Sequence, residues 1–145
     1  MRNPGNLQQP TVLVVDDSED DFETVCVAAR LAQVTAQFVN AIDTDAALRM
    51  LDASSPGDFV FMLLDFNFPG VDGLTFLQEL RQHPVHGQMP VVVFTASVNP
   101  RDQAAFLAAG ADAFHVKTVR FDDCLQILTD IFAHWLVPPS TIVAR

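Results

Sequence analysis

Basic residues are scarce in this chain of 145 residues, which has 8 lysines and arginines against 18 acids and a formal net charge of -10. This imbalance disfavours non-specific binding to nucleic acids or to anionic membranes. Long apolar runs are also missing, since none approaches the roughly 20 residues that a membrane-spanning helix requires. The start of the chain has no apolar segment typical of a signal peptide. We therefore expect a soluble, cytoplasmic protein.

Cysteine occurs only twice, as Cys26 and Cys124. Both lie among apolar neighbours in segments that we interpret as helices. Buried free thiols in a reducing compartment are the favoured interpretation. A disulfide between the two cysteines is the alternative that the sequence leaves open.

Half of the residues are apolar, and they form short runs that alternate with helix-like segments. The runs are β-branched and uninterrupted, as is typical of strands buried on both faces. Helix caps are predicted at Ser18, at Asp43 or Thr44, at Asp72 and at Asn99. The predicted strands are 11–16, 35–40, 59–65, 91–95 and 113–116, and the last helix is 121–136.

A strand followed by a helix, repeated five times, predicts one α/β domain over residues 11–136. Right-handed crossovers then build a doubly wound parallel sheet with helices on both faces. Residues 1–10 are expected to form a flexible lead, and residues 137–145 a tail.

Polar residues stand where four of the predicted strands end, namely Asp16 and Asp17, Asp65, Thr95 and Lys117. Ligands of open parallel sheets bind outside the carboxyl ends of the strands, so these side chains should share one crevice. Three carboxylates close together repel one another unless a cation neutralises them. Oxygen ligands of this kind suit Mg²⁺, and a lysine suits a phosphoryl oxygen. The crevice is therefore predicted to hold Mg²⁺ and a phosphoryl group.

Asp65 is the best candidate for a carboxylate that itself accepts the phosphoryl group, because a carboxylate can act as a nucleophile and form an acyl phosphate. It ends the most apolar of the predicted strands, which would hold it rigidly.

Four stretches contain or lead into the polar strand ends, namely "VLVVDD" (12–17), "LLDFNFPGVDG" (63–73), "VVVFTA" (91–96) and "GADAFHVK" (110–117). Through these stretches, the sequence resembles a receiver domain of two-component response regulators over about residues 11–136. Their order and spacing fit the family throughout. The resemblance implies a flavodoxin-like fold of five βα units, with the strands in the order 2-1-3-4-5.

The resemblance also implies a role for each acidic residue. Asp65 would accept the phosphoryl group from a histidine of a sensor kinase. Asp17 and Asp65 would bind Mg²⁺ directly, Asp16 would bind it through water or as a further ligand, and the backbone carbonyl of Asn67 would complete the set.

Four more residues take roles in phosphoryl binding and switching by the same resemblance. Thr95 and Lys117 would contact the phosphoryl oxygens. Phe114 matches the aromatic residue that turns inward when Thr95 moves, and Ala96 would leave room for that movement. The family usually has proline, often after a cis bond, where this chain has Thr118. A cis Lys117–Thr118 peptide is disfavoured because a non-proline cis bond costs roughly 3 kcal/mol.

The last predicted helix has more apolar residues than one buried stripe needs. The excess could cover the sheet edge or a neighbouring segment, or it could form a symmetric homodimer through the fourth helix, fifth strand and fifth helix. The candidate dimer face contains Leu125, Leu128, Phe132 and Trp135. This stand-alone build resembles receivers that are paired with bacterial phytochrome kinases.

The favoured function is a single-domain phosphoacceptor switch that acts through protein contact or onward phosphotransfer, not an enzyme. A phosphohydrolase with an aspartate nucleophile is one alternative, although such enzymes usually place their general acid where this chain has Asn67. A phosphate-independent binding module is another. His83 and His86 flank Pro84 and are expected in a surface loop, with a metal site as the less favoured reading.

Overall fold

The computed structural model describes residues 9–65 and 73–136. Within these ranges, strands and helices alternate as the sequence predicts. The strands are β1 (Thr11–Val15), β2 (Gln37–Ala41), β3 (Phe61–Leu64), β4 (Val91–Thr95) and β5 (Ala113–Val116). The helices are α1 (Glu19–Leu31), α2 (Thr44–Asp52), α3 (Gly73–Arg81), α4 (Pro100–Ala108) and α5 (Phe121–Trp135). The tail predicted at 137–145, most of the lead and the cap predicted at Asp72 lie outside the described residues.

The five strands form one parallel sheet in the order β2-β1-β3-β4-β5. Every recorded strand pairing is parallel, so all carboxyl ends lie at the same edge. This confirms the predicted doubly wound fold and its strand order.

Alternate side chains of the central strands enter separate cores on the two faces of the sheet. In β1, Leu13 and Val15 pack with residues of α2 and α3, whereas Val12 and Val14 pack with residues of α1 and α5. Strands β3 and β4 are buried along their whole length. The sheet is therefore a rigid support for whatever follows its carboxyl ends.

Helix α5 uses its apolar excess inside the molecule. Leu128 is 0% exposed and Phe132 is 2% exposed, and both belong to the core between the sheet and α1. The ring of Phe132 lies 5.5 Å from that of Phe38 on the edge strand β2. Leu125 and Trp135 are partly buried against the same core. Leu128 and Phe132, two of the four residues expected at the dimer face, are therefore interior residues of the chain. They cover the edge strand and a neighbouring helix. A homodimer through α4, β5 and α5 stays a prediction.

Predicted side-chain caps fix where three helices begin. The Ser18 hydroxyl accepts a hydrogen bond from the Asp21 amide, 3.1 Å away, at the start of α1. Asp43, the first of the two alternatives, caps α2, and Asn99 caps α4 directly before Pro100. Satisfying these otherwise unpaired amides stabilises each helix start.

Two details that the sequence left open are settled by the fold. Cys26 and Cys124 are both free and partly buried. No peptide bond among the described residues is cis, so the Lys117–Thr118 bond is trans.

None of the described helices is both long enough and apolar enough to span a membrane.

Candidate functional site

The sheet ladder extends one residue beyond the strands and thereby fixes the backbone of the predicted site residues. The amide of Asp16 donates to the carbonyl of Ala41, at 3.0 Å, and the amide of Asp65 donates to that of Val15, at 3.1 Å. The amide of Lys117 donates to the carbonyl of Thr95, at 2.7 Å. The side chains that follow β1, β3 and β5 therefore leave the sheet from anchored positions.

The ammonium group of Lys117 lies among three carboxylates. Its Nζ atom is 2.8 Å from Asp21 Oδ2, 2.9 Å from Asp65 Oδ2 and 3.3 Å from Asp16 Oδ2. Asp16 is 4% exposed and Asp65 8% exposed, so two of these acids lie at the floor of the crevice. The ring of Phe94, 5.5 Å away, lies under the ammonium group and adds a cation–π contact.

Burial and crowding change the acid–base chemistry of this group of residues. Burial raises the pKa of Asp16 to about 6, and the charges of Asp65 and Asp21 act in the same direction against the opposing effect of Lys117. Burial alone would lower the pKa of Lys117, but the hydrogen bond to Asp21 and the charges of Asp65 and Asp16 outweigh it and raise that pKa. Lys117 is therefore a permanent cation within an overall negative site.

Oxygen atoms of Asp16, Asp21 and Asp65 lie within 4.8 Å of one another. This is the only such group of potential metal ligands among residues 9–65 and 73–136. Several close carboxylate oxygens form a donor set that fits a hard divalent cation such as Mg²⁺. Asp17, also predicted as a ligand, has an exposed side chain outside this group. Asn67 lies outside the described residues.

Asp21 is the residue of this site that the sequence reasoning missed. An acidic residue in the first turn of a helix is favourable in itself, so its position in the sequence does not indicate a role in the crevice. The predicted cap at Ser18 is the sequence feature that could have indicated Asp21 as a site residue. It places the first turn of α1 directly after β1, and the Asp21 amide donates to the Ser18 hydroxyl. The turn therefore presents a carboxylate to the same crevice as Asp16.

The predicted switch residues lie at the end of β4, in the loop after it and in the neighbouring strand β5. Thr95 is fully buried, and its Oγ1 atom accepts a hydrogen bond from the Ser97 amide at 3.4 Å. Ala96 is exposed at the start of the loop that leads to α4. Phe114 is partly buried, and its ring lies 6.3 Å from that of Phe106 in α4. The loop is also held by the Ser97 hydroxyl, which lies 2.5 Å from a carboxylate oxygen of Asp102.

A cavity of about 220 Å³ opens beside Lys117 and its three carboxylates, between α1 and the loop that follows β5. Its polar lining includes the three carboxylates and Lys117. Its apolar lining includes Val25, Phe94, Phe121 and Cys124. The charged group is thus accessible from a partly apolar recess.

The two histidines around Pro84 lie apart from this site. His86 is 4% exposed, and its Nε2 atom lies 3.1 Å from the Ser54 hydroxyl. His83 Nε2 lies 2.9 Å from Asp52 Oδ1. The segment is a loop as expected, with Pro84 and Val85 exposed, but His86 is buried in it. Both rings pack the segment before β4 against the end of α2.

Comparison with known proteins agrees with this geometry. Residues 12–129 match the family described as the response regulator receiver domain. The sensory/regulatory protein RpfC of Xanthomonas campestris is 31% identical over 147 aligned positions, which cover 99% of this chain and 20% of RpfC. The chain therefore spans about a fifth of that relative. The response regulator Rcp1 of Synechocystis is 28% identical over 130 positions, 86% of this chain and 88% of Rcp1.

Solved structures share the fold over most of the chain. The phosphorylated cyanobacterial phytochrome response regulator RcpA superimposes with a TM-score of 0.80 at 24% identity, covering 89% of this chain and 95% of RcpA. The Mn²⁺-bound form of Rcp1 gives a TM-score of 0.78 at 26% identity, covering 88% of this chain and 95% of Rcp1. The family match includes every strand end that contributes to the crevice, and the chain belongs to the response regulator receiver domain family.

Proposed function

We propose that Asp65 accepts a phosphoryl group from a phosphohistidine of a sensor kinase. The observation that carries this proposal is the Lys117 ammonium group, 2.9 Å from the Asp65 carboxylate at the buried end of a central strand. A carboxylate oxygen of Asp65 attacks phosphorus, the new O–P bond forms as the P–N bond of the donor breaks, and the donor imidazole takes up a proton. Lys117 and Thr95 bind the phosphoryl oxygens and offset their charge.

The metal in this proposal is Mg²⁺, held by Asp16, Asp17, Asp65 and the carbonyl of Asn67. When bound, the ion would neutralise charge on the phosphoryl oxygens and on the crowded acids. The close carboxylate oxygens of Asp16 and Asp65 support two of these ligands, whereas Asp17 and Asn67 rest on the resemblance to the family. The Mn²⁺-bound form of Rcp1, at 26% identity, supports it by analogy.

We propose that phosphorylation is signalled to other proteins through a change in the conformation of one surface of the domain. Phosphorylation adds about two negative charges next to Thr95 and Lys117. Movement of Thr95 into the space beside Ala96 would draw Phe114 inward. The surface made by α4, β5 and α5 would then shift from one conformation towards another. That surface would then engage a protein partner, a second copy of the chain or a further phosphotransfer protein. We propose a signalling role of this kind in the cytoplasm, not turnover of an external substrate.

A phytochrome-type kinase is the proposed donor. Rcp1 matches this chain over 88% of its own length, so the likeness is not confined to one part of that relative. RcpA, whose fold is shared, is a cyanobacterial phytochrome response regulator.

Incubation with Mg²⁺ and acetyl phosphate, followed by intact mass measurement, tests the acceptor assignment. The parent protein should gain one phosphoryl group, and Asp65→Asn should gain none because it lacks the nucleophilic oxygen. Asp20→Asn is the matched control, since it removes an exposed acid from the first turn of α1. An unmodified parent, or an adduct that persists in Asp65→Asn, would contradict the proposal.

A further inference from the structure

All three N–H donors of the Lys117 ammonium group have a carboxylate within reach. A lysine ammonium group has three donors and no acceptor. Here the contacts go to Asp21, Asp65 and Asp16, at 2.8, 2.9 and 3.3 Å. A phosphoryl oxygen on Asp65 can therefore accept a hydrogen bond from Lys117 only if one of these three contacts between Lys117 and a carboxylate is broken.

Asp21 is the strongest of the three competitors for that ammonium group. Its contact is the shortest, and its hydrogen bond makes the largest contribution to raising the pKa of Lys117. The Ser18 cap fixes the backbone of Asp21 in the first turn of α1, so the start of this side chain stays beside the crevice. The Asp21 side chain is 46% exposed, whereas those of Asp16 and Asp65 are 5% and 10% exposed. Asp21 therefore draws Lys117 towards the open side of the crevice.

We propose that Asp21 is a positioning residue that competes with the phosphoryl group for Lys117 and thereby restrains phosphorylation of Asp65. The inference rests on the proposed function, because it concerns the same acceptor site. Without the Asp21 charge, Lys117 is shared by fewer anions and is free to follow the incoming phosphoryl group. The crevice also loses one negative charge that opposes the approach of an anionic donor.

The test compares rates of adduct formation with acetyl phosphate and Mg²⁺ in six proteins, namely the parent, Asp21→Asn and Asp20→Asn, each with Lys117 and each with Lys117→Ala. Asp21→Asn should react roughly three- to fivefold faster than the parent, the size that a half-exposed ion pair contributes. Asp20→Asn, which has the same change of net charge in the same helical turn, should stay close to the parent rate. In a Lys117→Ala background, Asp21→Asn should give no more acceleration than Asp20→Asn, because the effect acts through the ammonium group.

Three results would overturn the inference. They are an Asp21→Asn rate equal to that of Asp20→Asn, a slower rate, or equal acceleration with and without Lys117. The last result would assign Asp21 to general charge repulsion. An unmodified parent protein would instead overturn the proposed function itself, so the two failures are distinguishable.

A second readout does not depend on phosphorylation. The side-chain ammonium signal of ¹⁵N-labelled Lys117, identified by its absence from Lys117→Ala, should shift in Asp21→Asn and remain in place in Asp20→Asn. An unchanged signal in Asp21→Asn would show that the ammonium group is not held by Asp21. Thermal unfolding of each variant verifies that the fold is retained.

Discussion

At the scale of single residues, the site concentrates negative charge where water is scarce. Asp16 is 4% exposed and shares its surroundings with Asp65 and Asp21. Lys117 supplies one positive charge to three carboxylates. Buried charges that are not fully paired are costly, so the arrangement lowers the stability of the fold. Its retention is understandable if the charges are needed for a cation and a phosphoryl group.

Replacement of Asp16 by asparagine should therefore stabilise the protein in metal-free buffer. The amide keeps an acceptor for the Ser18 amide, which now donates to Asp16 Oδ1 at 2.9 Å, but it removes the charge. We expect a gain of about 1–2 kcal/mol in the free energy of unfolding, which is about 3–6 °C in the thermal midpoint for a chain of this size.

Thermal unfolding in the presence of a chelator and then of Mg²⁺ provides the measurement. Because a ligand that binds only the folded state stabilises it, Mg²⁺ should raise the midpoint of the parent more than that of Asp16→Asn. Asp20→Asn, which removes an exposed acid, should follow the parent in both buffers. A lower midpoint for metal-free Asp16→Asn would refute the view that charge crowding destabilises the site.

At the scale of elements, one arginine holds three segments together on the side of the sheet away from α1. Arg81 ends α3 and donates to the carbonyls of Gly87, Met89 and Gly110 at 3.1, 2.7 and 2.6 Å. It also contacts Asp112, 3.1 Å away, which accepts from the amide that begins β4. The planar guanidinium group suits this task because its five donors point in fixed directions. Gly110 has φ +110°, and a Cβ there would lie 2.9 Å from Arg81 Nε.

Arg81→Ala should lower the free energy of unfolding by about 2–3 kcal/mol, because several partly buried carbonyls lose their donor. Arg81→Lys should recover part of this loss, since an ammonium group can reach only some of the same acceptors. Urea denaturation followed by circular dichroism measures both changes. Arg49→Ala, an exposed arginine in α2, is the control and should be nearly neutral. Equal stability of Arg81→Ala and Arg49→Ala would argue against the linking role.

At the scale of the whole molecule, the sheet and its polar edge could be predicted because they depend on local patterns. Strands β3 and β4 are uninterrupted apolar runs, and a residue that follows such a run must appear at the carboxyl edge. Asp65 and Thr95 follow from this rule. The contact of Asp21 with Lys117 could not be predicted in the same way, because it joins residues 96 positions apart through the direction in which α1 leaves the sheet.

The other differences also arise from packing between distant segments. The apolar residues of α5 seemed too many for one stripe because the sequence does not reveal that α1 and the edge strand β2 cover them as well. His86 follows a proline in a polar stretch, yet the fold buries it against Ser54 from the end of α2. Hydrophobic periodicity indicates which side of one helix or strand packs against one surface, whereas these residues contact two or more segments of the chain.

The burial of His86 predicts that this ring lowers the stability of the fold in mild acid. Asp16, whose pKa is raised to about 6, acts in the opposite direction over the same range, and its contribution is common to every protein compared below. Burial lowers the pKa of His86, and the neighbouring His83 acts in the same direction, while Asp58 and hydrogen bonds with Ser54 and Leu51 oppose them less strongly. The folded state therefore binds fewer protons at this ring than the unfolded state, whose histidine has a pKa near 6.5. The contribution of neutral His86 to the free energy of unfolding is fully present above pH 6.5. It is lost as the pH falls towards the lower pKa that the ring has in the folded state, by about 1.4 kcal/mol for each unit between the two pKa values.

The variant His86→Gln keeps a side chain that can hydrogen-bond to Ser54 but does not titrate, so it should lose less stability than the parent between pH 7.5 and about 5.5. Urea unfolding at several pH values measures this difference in slope. His115, whose pKa is also lowered by burial against the opposing charge of Asp130, contributes equally to both proteins and cancels in the comparison. His134→Gln, at an exposed position of α5, should keep the parent's slope. If His86→Gln and His134→Gln show the same dependence on pH, the buried ring is not the group that makes the fold sensitive to acid.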